Sequence, residues 1–171
     1  MNKLFEGRYL RILDDDGWEF AQRTGVTGVV VIVAVTDDDR LLLVEQYRKP
    51  VKSRVLELPA GLAGDILGAE DEAMVTAAAR ELLEETGYEA SDWAVLGEAP
   101  VTAGLTDETV VFFLARGLRK VGPGGGDESE DIEVLEVPLT QLRSTLASRR
   151  EAGVKIDAKI GGGLWMAQIP S

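Results

Sequence analysis

One helical pattern near the middle of the chain constrains the fold more than any other feature of the sequence. Its apolar residues recur at helical spacing: Val75, Ala78, Ala79 and Leu82. Gly87 follows at the position where a left-handed C-terminal cap is expected. Residues three and four apart share one face of a helix, so Glu81, Glu84 and Glu85 project together, away from the apolar face. The pattern predicts a helix with one side in the core and one acidic side.

The segments around this helix have the β-branched or alternating character of strands. Strand patterns cover residues 26–35, 41–47, 54–58, 93–100, 109–114 and 132–137, and further helices are predicted at 139–152 and around 164–168. Residues 7–13 and 18–23 flank an Asp-rich turn and predict an N-terminal β-hairpin. Residues 121–131, rich in glycine and acids, predict a mobile loop. Mixed strands with few helices predict an α/β/α sandwich or an α+β sheet, with the hairpin at 1–24 and one domain at 25–171.

Two absences narrow the chemistry that this chain could perform. The sequence contains no cysteine and no histidine. Disulfides, thiolate nucleophiles and Cys-based zinc sites are therefore excluded, as are the usual general base and imidazole metal ligands. If the chain is a hydrolase, then Asp, Glu, Lys, Tyr or a hard metal ion must carry the chemistry. Mg²⁺ and Mn²⁺ prefer the carboxylate and carbonyl oxygens that this chain has in quantity.

The charge and the apolar runs limit the classes of partner. The formal net charge of −12 argues against broad nucleic-acid binding, which needs a basic surface. It does not exclude a phosphorylated small molecule, because bound divalent metal ions reverse the local charge. The longest apolar run, residues 26–35, is too short to span a bilayer, and the N-terminus lacks the apolar core of a signal peptide. We expect a cytoplasmic protein with no membrane or nucleic-acid partner.

The acidic helix face has two interpretations. Three carboxylates this close repel one another unless positive charge lies among them. A divalent cation would supply that charge. Arg80 and solvent would supply it too, which would leave an ordinary solvated acidic face. The helix pattern by itself does not choose between the two.

The wider pattern resembles the Nudix box, the signature of the Nudix hydrolase family. Glu72 is followed, after seven residues, by Arg-Glu-Leu-Leu-Glu-Glu-Thr-Gly-Tyr at 80–88, which matches the C-terminal part of that box. Glu-Leu-Pro-Ala-Gly at 57–61 resembles the element that opens the box in the ADP-ribose and nucleotide-sugar branch. Tyr-Arg at 47–48 and Thr-Asp-Glu at 106–108 also resemble that branch. The resemblance implies an α/β fold, namely a Nudix-type α/β/α sandwich with a mixed sheet, to which the N-terminal β-hairpin is added.

The resemblance implies a metal site on the acidic helix. Glu81, Glu84 and Glu85 would bind Mg²⁺ or Mn²⁺, with help from the main-chain oxygen of Ala60. Arg80 would orient these carboxylates. The metal ions would neutralise a diphosphate, lower the pKa of a bound water and hold the attacking and leaving oxygens in line.

The resemblance also implies contacts with the substrate. Arg48 would grip a phosphate or the terminal sugar, a task that suits a rigid guanidinium fork. An ordinary surface arginine at a strand end is the alternative. Glu57 would reach the metal region or a ribose, or would simply pair with a nearby arginine. Gly61, Asp107 and Glu108 belong to the other substrate-side elements.

Catalysis also needs a carboxylate that accepts the proton of the attacking water, since there is no histidine to do so. In this branch of the family the base often lies on a loop after the box, where Glu128 and Glu130 are the matching candidates. The alternative is that both are solubilising acids in a flexible loop.

Two aromatic residues of the predicted hairpin, Trp18 and Phe20, could stack on a nucleobase. In similar proteins such a hairpin crosses to a partner subunit, so a homodimer is expected. The alternative is that these aromatics only pack in a core or an interface.

Two departures from the family pattern bear on the substrate. The box's opening glycine should stand six positions before Glu72, where this chain has Ile66, so that Leu62 to Asp71 forms an enlarged loop. Ala103 occupies the place of a proline typical of members selective for ADP-ribose. The expected activity is hydrolysis of a nucleoside diphosphate sugar or ADP-ribose-like compound to a nucleoside monophosphate and a sugar phosphate. Cleavage of nucleoside triphosphates and nucleotide binding without cleavage are the alternatives.

Overall fold

A computed structural model describes residues 1–126 and 131–170 of the chain. The strands are β1 (Asn2–Glu6), β2 (Leu10–Asp15), β3 (Trp18–Arg23), β4 (Gly28–Ala34), β5 (Arg40–Arg48), β6 (Ser53–Glu57), β7 (Ala60–Ala63), β8 (Tyr88–Pro100), β9 (Thr109–Lys120), β10 (Ile132–Pro138) and β11 (Lys155–Ile156). The helices are α1 (Met74–Thr86), α2 (Leu142–Glu151) and α3 (Ala158–Met166), with 3-10 turns at Lys49–Val51 and Leu139–Gln141. None of the helices in these two described ranges has the length and apolar character needed to cross a membrane.

The strands form three sheets, and two of them build the core. One has the order β7-β4-β9-β8 and the other β10-β5-β6-β11; the pairings β4–β9 and β6–β11 are parallel and the rest antiparallel. Alternate residues of β4 point to opposite sides. Val30 and Ile32 pack in the cluster that contains α1, while Val31 and Val33 pack in the cluster that contains α2 and α3. The mixed α/β fold expected from the sequence is confirmed.

Helix α1 matches its prediction in extent, and Ala78 and Leu82 lie on its buried face as predicted, but Val75 does not. It ends at Gly87, whose φ of 75° is the left-handed cap conformation. The face in the core carries Ala77, Ala78 and Leu82, all fully buried. Val75, assigned to the apolar face from its spacing, is 42% exposed. The helix is therefore rotated so that Ala77, and not Val75, faces the core.

The N-terminal segment forms a three-stranded sheet in the order β1-β2-β3. Strands β2 and β3 form the expected hairpin, and β1 adds a strand that the sequence pattern did not indicate. This sheet contacts the loop before β9: the Ala21 amide donates to the Leu105 carbonyl at 2.8 Å, and Arg23 pairs with Glu108 at 2.7 Å. The division of the chain at residue 24 stays a prediction.

The described part of the glycine-rich segment, residues 121–126, differs from the predicted mobile loop. It is hydrogen-bonded to the C-terminal end of α1: the Gly125 amide donates to the Glu85 carbonyl at 2.8 Å and the Gly126 amide to the Glu84 carbonyl at 3.0 Å. A Cβ atom on Gly124 would lie 2.4 Å from the Thr86 carbonyl carbon. Glycine therefore serves here for close backbone contact, which satisfies carbonyl groups that a helix end leaves open.

Candidate active site

A cleft of about 1070 Å³ lies between α1, α3 and the ends of the core strands. It brings together most of the site residues expected from the sequence: Arg48, Glu57, Ala60, Gly61, Arg80, Glu81, Glu84, Glu85 and Glu108. The side with α1 carries three carboxylates and Arg80, and Arg23, Arg48 and Lys159 line the cleft from other elements. The cleft thus has the size and the mixed charge expected for a small polar ligand.

Arg80 connects the acidic helix to β7 and to Glu72, which precedes the helix. Its guanidinium donates to the Leu62 carbonyl at 2.8 Å and to Glu72 at 3.2 Å, and it also contacts Glu81 at 2.8 Å and Glu84 at 3.3 Å. Burial alone would lower the Arg80 pKa, but its hydrogen bonds to Glu72 and Glu81 outweigh this and hold the pKa above its ordinary value. A permanently charged guanidinium therefore lies among the carboxylates, as the predicted orienting role requires.

Glu81 lies against the backbone of β7. A Cβ atom at position 61 would come within 1.9 Å of the Glu81 carboxyl carbon, so Gly61 makes room for this group. The Leu62 amide lies 3.3 Å from the same carboxylate. Burial raises the pKa of Glu81 to about 7, although Arg80 opposes the shift. Glu81 is thus a poorly hydrated carboxylate whose charge a cation would stabilise.

Glu85 is the most deeply buried carboxylate of the acidic face, at 3% exposure. One of its oxygens accepts a hydrogen bond of 3.0 Å from the Ala60 amide. Its neighbour Glu84 is half-exposed at the cleft surface. The three carboxylates therefore differ in mobility: two are held by β7, and Glu84 can turn into the cleft.

The donor chemistry of this side of the cleft fits a hard divalent cation. In the part of the chain that the structure describes, no three Asp or Glu side chains are already gathered so as to hold a metal ion. The reason is visible in the contacts, because Arg80 binds Glu81 and Glu84 while Glu85 binds the Ala60 amide. A cation would have to compete with Arg80 for Glu84, whose exposed side chain can make that change.

Arg48 at the end of β5 and Glu57 at the end of β6 form an ion pair that lines the same cleft. The Arg48 Nε donates to Glu57 at 2.8 Å. Burial raises the pKa of Glu57, and the positive charge of Arg48 opposes this shift. Glu57 is almost fully buried, whereas Arg48 keeps 43% of its side chain exposed. The simpler alternative for Glu57, pairing with an arginine, is thus what the structure contains, and Arg48 remains accessible to an anion.

Three other expected site residues, Trp18, Phe20 and Asp107, do not line the cleft. Trp18 and Phe20 are on β3 and are not among the residues that line the cleft, and Trp18 is 64% exposed. Asp107 contacts Gln22 and lines a separate depression of about 530 Å³ beside the N-terminal sheet. Glu128 and Glu130 fall outside the described residues.

The sequence did not predict a functional role for the residues of one wall of the cleft. This wall is helix α3, which contributes Lys159, Gly162 and Met166. The helix begins after Asp157, whose side chain accepts from the Lys159 amide at 2.7 Å as an N-cap. This capping aspartate is a sequence signal for the start of α3, but the sequence pattern predicted a helix only around residues 164–168. The buried Phe112, which lies beside α3, is also a lining residue that the sequence did not single out.

The sequence of this chain is similar to that of known proteins. Residues 26–157 match the NUDIX domain. The methanol dehydrogenase activator of Bacillus methanolicus is 32% identical over 155 residues, covering 86% of this chain and 81% of that protein.

Two further relatives have pyrophosphatase names. The ADP-ribose pyrophosphatase of Mycobacterium tuberculosis (strain ATCC 25618 / H37Rv) is 42% identical over 115 residues, which cover 67% of this chain. The GDP-mannose pyrophosphatase of Citrobacter koseri is 33% identical over 122 residues, also 67% of this chain. The matched regions span 54% and 61% of these two relatives' own lengths.

A solved structure supports the fold. The crystal structure of an ADP compounds hydrolase superposes with a TM-score of 0.69, covering 98% of this chain and 89% of that one. Its sequence identity of 20% limits this likeness to the fold.

Proposed function

The chain belongs to the Nudix hydrolase family, and we propose that it hydrolyses the diphosphate linkage of a nucleoside diphosphate sugar or ADP-ribose-like compound. The products would be a nucleoside monophosphate and a sugar phosphate. One observation carries the proposal: the acidic face of α1 and the Arg48–Glu57 pair line the same cleft. The pyrophosphatase names of two relatives support the same class of substrate.

Nudix hydrolases generally need a divalent metal ion, and we propose Mg²⁺ or Mn²⁺ for this chain. Glu81, Glu84 and Glu85 would hold it, with the main-chain oxygen of Ala60 as a further donor. When bound, such an ion would neutralise the diphosphate charge and make a bound water more acidic.

The chain's own residues would position the substrate. Arg80 would keep the carboxylates of α1 oriented while one of them turns toward the cation. Arg48, exposed in the cleft, would direct its fork toward phosphate oxygens, and Glu57 would hold that fork in place. Glu128 or Glu130 stays the prediction for the base that accepts the water's proton.

We further propose that the protein is a homodimer that uses its N-terminal sheet. This sheet leaves several large apolar side chains exposed: Leu4, Phe5, Tyr9, Leu10 and Trp18. Exposed apolar and aromatic side chains gathered in one segment of a chain are typical of interfaces. Trp18 and Phe20 would then stack on the nucleobase in the cleft of the partner subunit.

A substrate panel tests the proposed activity. The protein is incubated with Mg²⁺ or Mn²⁺ and ADP-ribose, nucleotide sugars or nucleoside triphosphates, and the products are identified by mass. We expect nucleoside monophosphate and sugar phosphate, and loss of turnover on adding a chelator. Release of pyrophosphate from triphosphates alone would instead support a nucleotide-sanitising enzyme. The absence of any turnover would contradict the proposal and favour a nucleotide-binding regulator, in keeping with the activator name of one relative.

Arg48→Lys tests the phosphate contact. Lysine keeps the charge but loses the planar fork, so we expect KM to rise about tenfold while kcat changes little. Arg119→Lys is the matched control, because Arg119 is an exposed strand arginine that pairs with Glu89 away from the cleft. Steady-state kinetics of both variants provide the measurement. Equal KM values for the two variants would remove Arg48 from the substrate site.

A further inference from the structure

Helix α3 contains three consecutive glycines, Gly161, Gly162 and Gly163, in its interior. Glycine is the least favourable residue for a helix interior after proline, since it loses the most backbone freedom on folding. None of the three has a positive φ, so the backbone conformation does not demand glycine. The reason why glycine occupies each position must therefore lie in the surroundings of its α-carbon.

Gly163 has a packing reason. A Cβ atom there would lie 2.8 Å from side-chain atoms of both Leu58 and Val33, so only glycine lets α3 lie directly on the core sheet. Gly161 has no such reason: it is exposed, and no heavy atom lies within 4 Å of the Cβ position.

Gly162 differs from both neighbours because it lines the cleft. A Cβ atom there would meet a single heavy atom within 4 Å, the Cζ of Phe112, at 4.0 Å. Neither steric pressure nor backbone strain excludes a side chain at this position. Any side chain would, however, extend into the open cleft and occupy its space.

We propose that Gly162, with Phe112 and Met166, forms an apolar subsite that receives one of the two ring groups joined by the substrate's diphosphate. The inference rests on the proposed function and deepens it by identifying a position that limits the size of that ring. The bare Gly162 α-carbon lets a flat ring approach the helix closely, in the way glycine permits close contact with ligands elsewhere.

The lining of the subsite fits a ring that presents an apolar face. Val110 and Ala99 continue the apolar surface beside Phe112. Lys159 and Met166 share the face of α3 with Gly162, because they lie three residues before and four residues after it. The subsite is thus apolar around Gly162 and Met166, with the ion pair between Lys159 and Asp157 (2.5 Å) beside it, as suits a ring attached to a polar group. Both a nucleobase and the C–H face of a sugar have this character.

Gly162→Leu and Gly162→Ala test the subsite, with Gly161→Leu and Gly161→Ala as matched controls one residue away. Both alanine variants should raise Tm by about 2–4 °C, because alanine is the better helix former. We expect Gly162→Leu to raise KM about tenfold or more and Gly162→Ala to raise it less, while the Gly161 variants keep the parental KM. A gain in thermal stability with a loss of substrate affinity would show that a structural defect is not the cause.

The substrates identify which ring enters. ADP-glucose and GDP-glucose differ only in the base, whereas GDP-glucose and GDP-mannose differ only in the sugar. A KM increase that depends on the base assigns the subsite to the nucleobase, and one that depends on the sugar assigns it to the sugar; either supports the proposal. No rise in KM at position 162, or equal effects at positions 161 and 162, would refute it.

Calorimetric binding of AMP, GMP and glucose 1-phosphate separates this inference from the proposed function. If the parental protein cleaves no substrate, the proposed function fails, while a binding loss specific to Gly162→Leu would still support a ring subsite. If the parental protein cleaves nucleotide sugars and neither kinetics nor binding distinguishes Gly162 from Gly161 variants, the inference alone fails.

Discussion

Glu85→Gln is expected to lower kcat by roughly a thousandfold or more, because it removes a negative charge from the proposed cation site. Glutamine has nearly the same shape and keeps an oxygen that can accept from the Ala60 amide, now bonded to Glu85 at 3.0 Å. We therefore expect the free energy of unfolding of the metal-free protein to change by only about 1 kcal/mol. Activity and stability should thus respond very differently to one substitution.

The measurement combines steady-state kinetics at saturating Mg²⁺ or Mn²⁺ with thermal unfolding of the metal-free protein. Glu89→Gln is the control, because Glu89 is a glutamate on β8 that pairs with Arg119 at the surface. It removes the same charge from the protein without touching the cleft. Near-normal turnover of Glu85→Gln would exclude Glu85 from the metal site, and a collapse of stability would make the kinetic result uninformative about metal binding.

Gly124→Ala is expected to lower the free energy of unfolding by about 2–4 kcal/mol, through overpacking and backbone strain together. The new Cβ would lie 2.4 Å from the Thr86 carbonyl carbon and 2.7 Å from the Glu85 carbonyl oxygen, and neither backbone atom can move aside easily. The φ of 68° at Gly124 adds the cost of a left-handed conformation for alanine.

Gly153→Ala separates these two causes. Gly153 has a φ of 89° but no heavy atom within 4 Å of the Cβ position, so alanine there meets strain without a clash and should cost only about 1 kcal/mol. Urea unfolding of both variants gives the comparison, and hydrogen exchange at the Gly125 and Gly126 amides reports whether the segment has left α1. Equal destabilisation of the two variants would mean that residues 121–126 are not tightly packed on the helix.

Local signals explain what the sequence predicted well. Helix α1 was recognisable because its apolar spacing, its acidic face and the cap at Gly87 all lie within one stretch of chain. The side that faces the core was less accessible to prediction. Ala78 and Leu82 of the predicted apolar face are buried, but the further fully buried apolar residue is Ala77 and not Val75, and only packing on the sheet determines this. Intrinsic periodicity gives the type of element, while tertiary packing gives its rotation.

Tertiary contacts explain what the sequence could not predict. The glycine-rich segment has the composition of a flexible loop, and its hydrogen bonds to Glu84 and Glu85 join parts of the chain that are distant in sequence. Helix α3 has three glycines that argue against a helix, yet Gly163 fits tightly between Leu58 and Val33 of the sheet. In both places a property that normally weakens local structure allows close backbone packing. The function of α3 was missed because its helical pattern was weak.

The pairing of β11 with β6 has a consequence for the order of folding. Val55 lies opposite Lys155 and Leu56 opposite Ile156, so this parallel contact closes a loop of about a hundred residues. Helix α1, by contrast, packs on β7, which lies close to it in the chain. Contacts between distant segments pay a larger loop-closure entropy and tend to form later. We therefore expect α1 to acquire its place early, and the wall formed by α3 to complete the cleft in the last stage of folding.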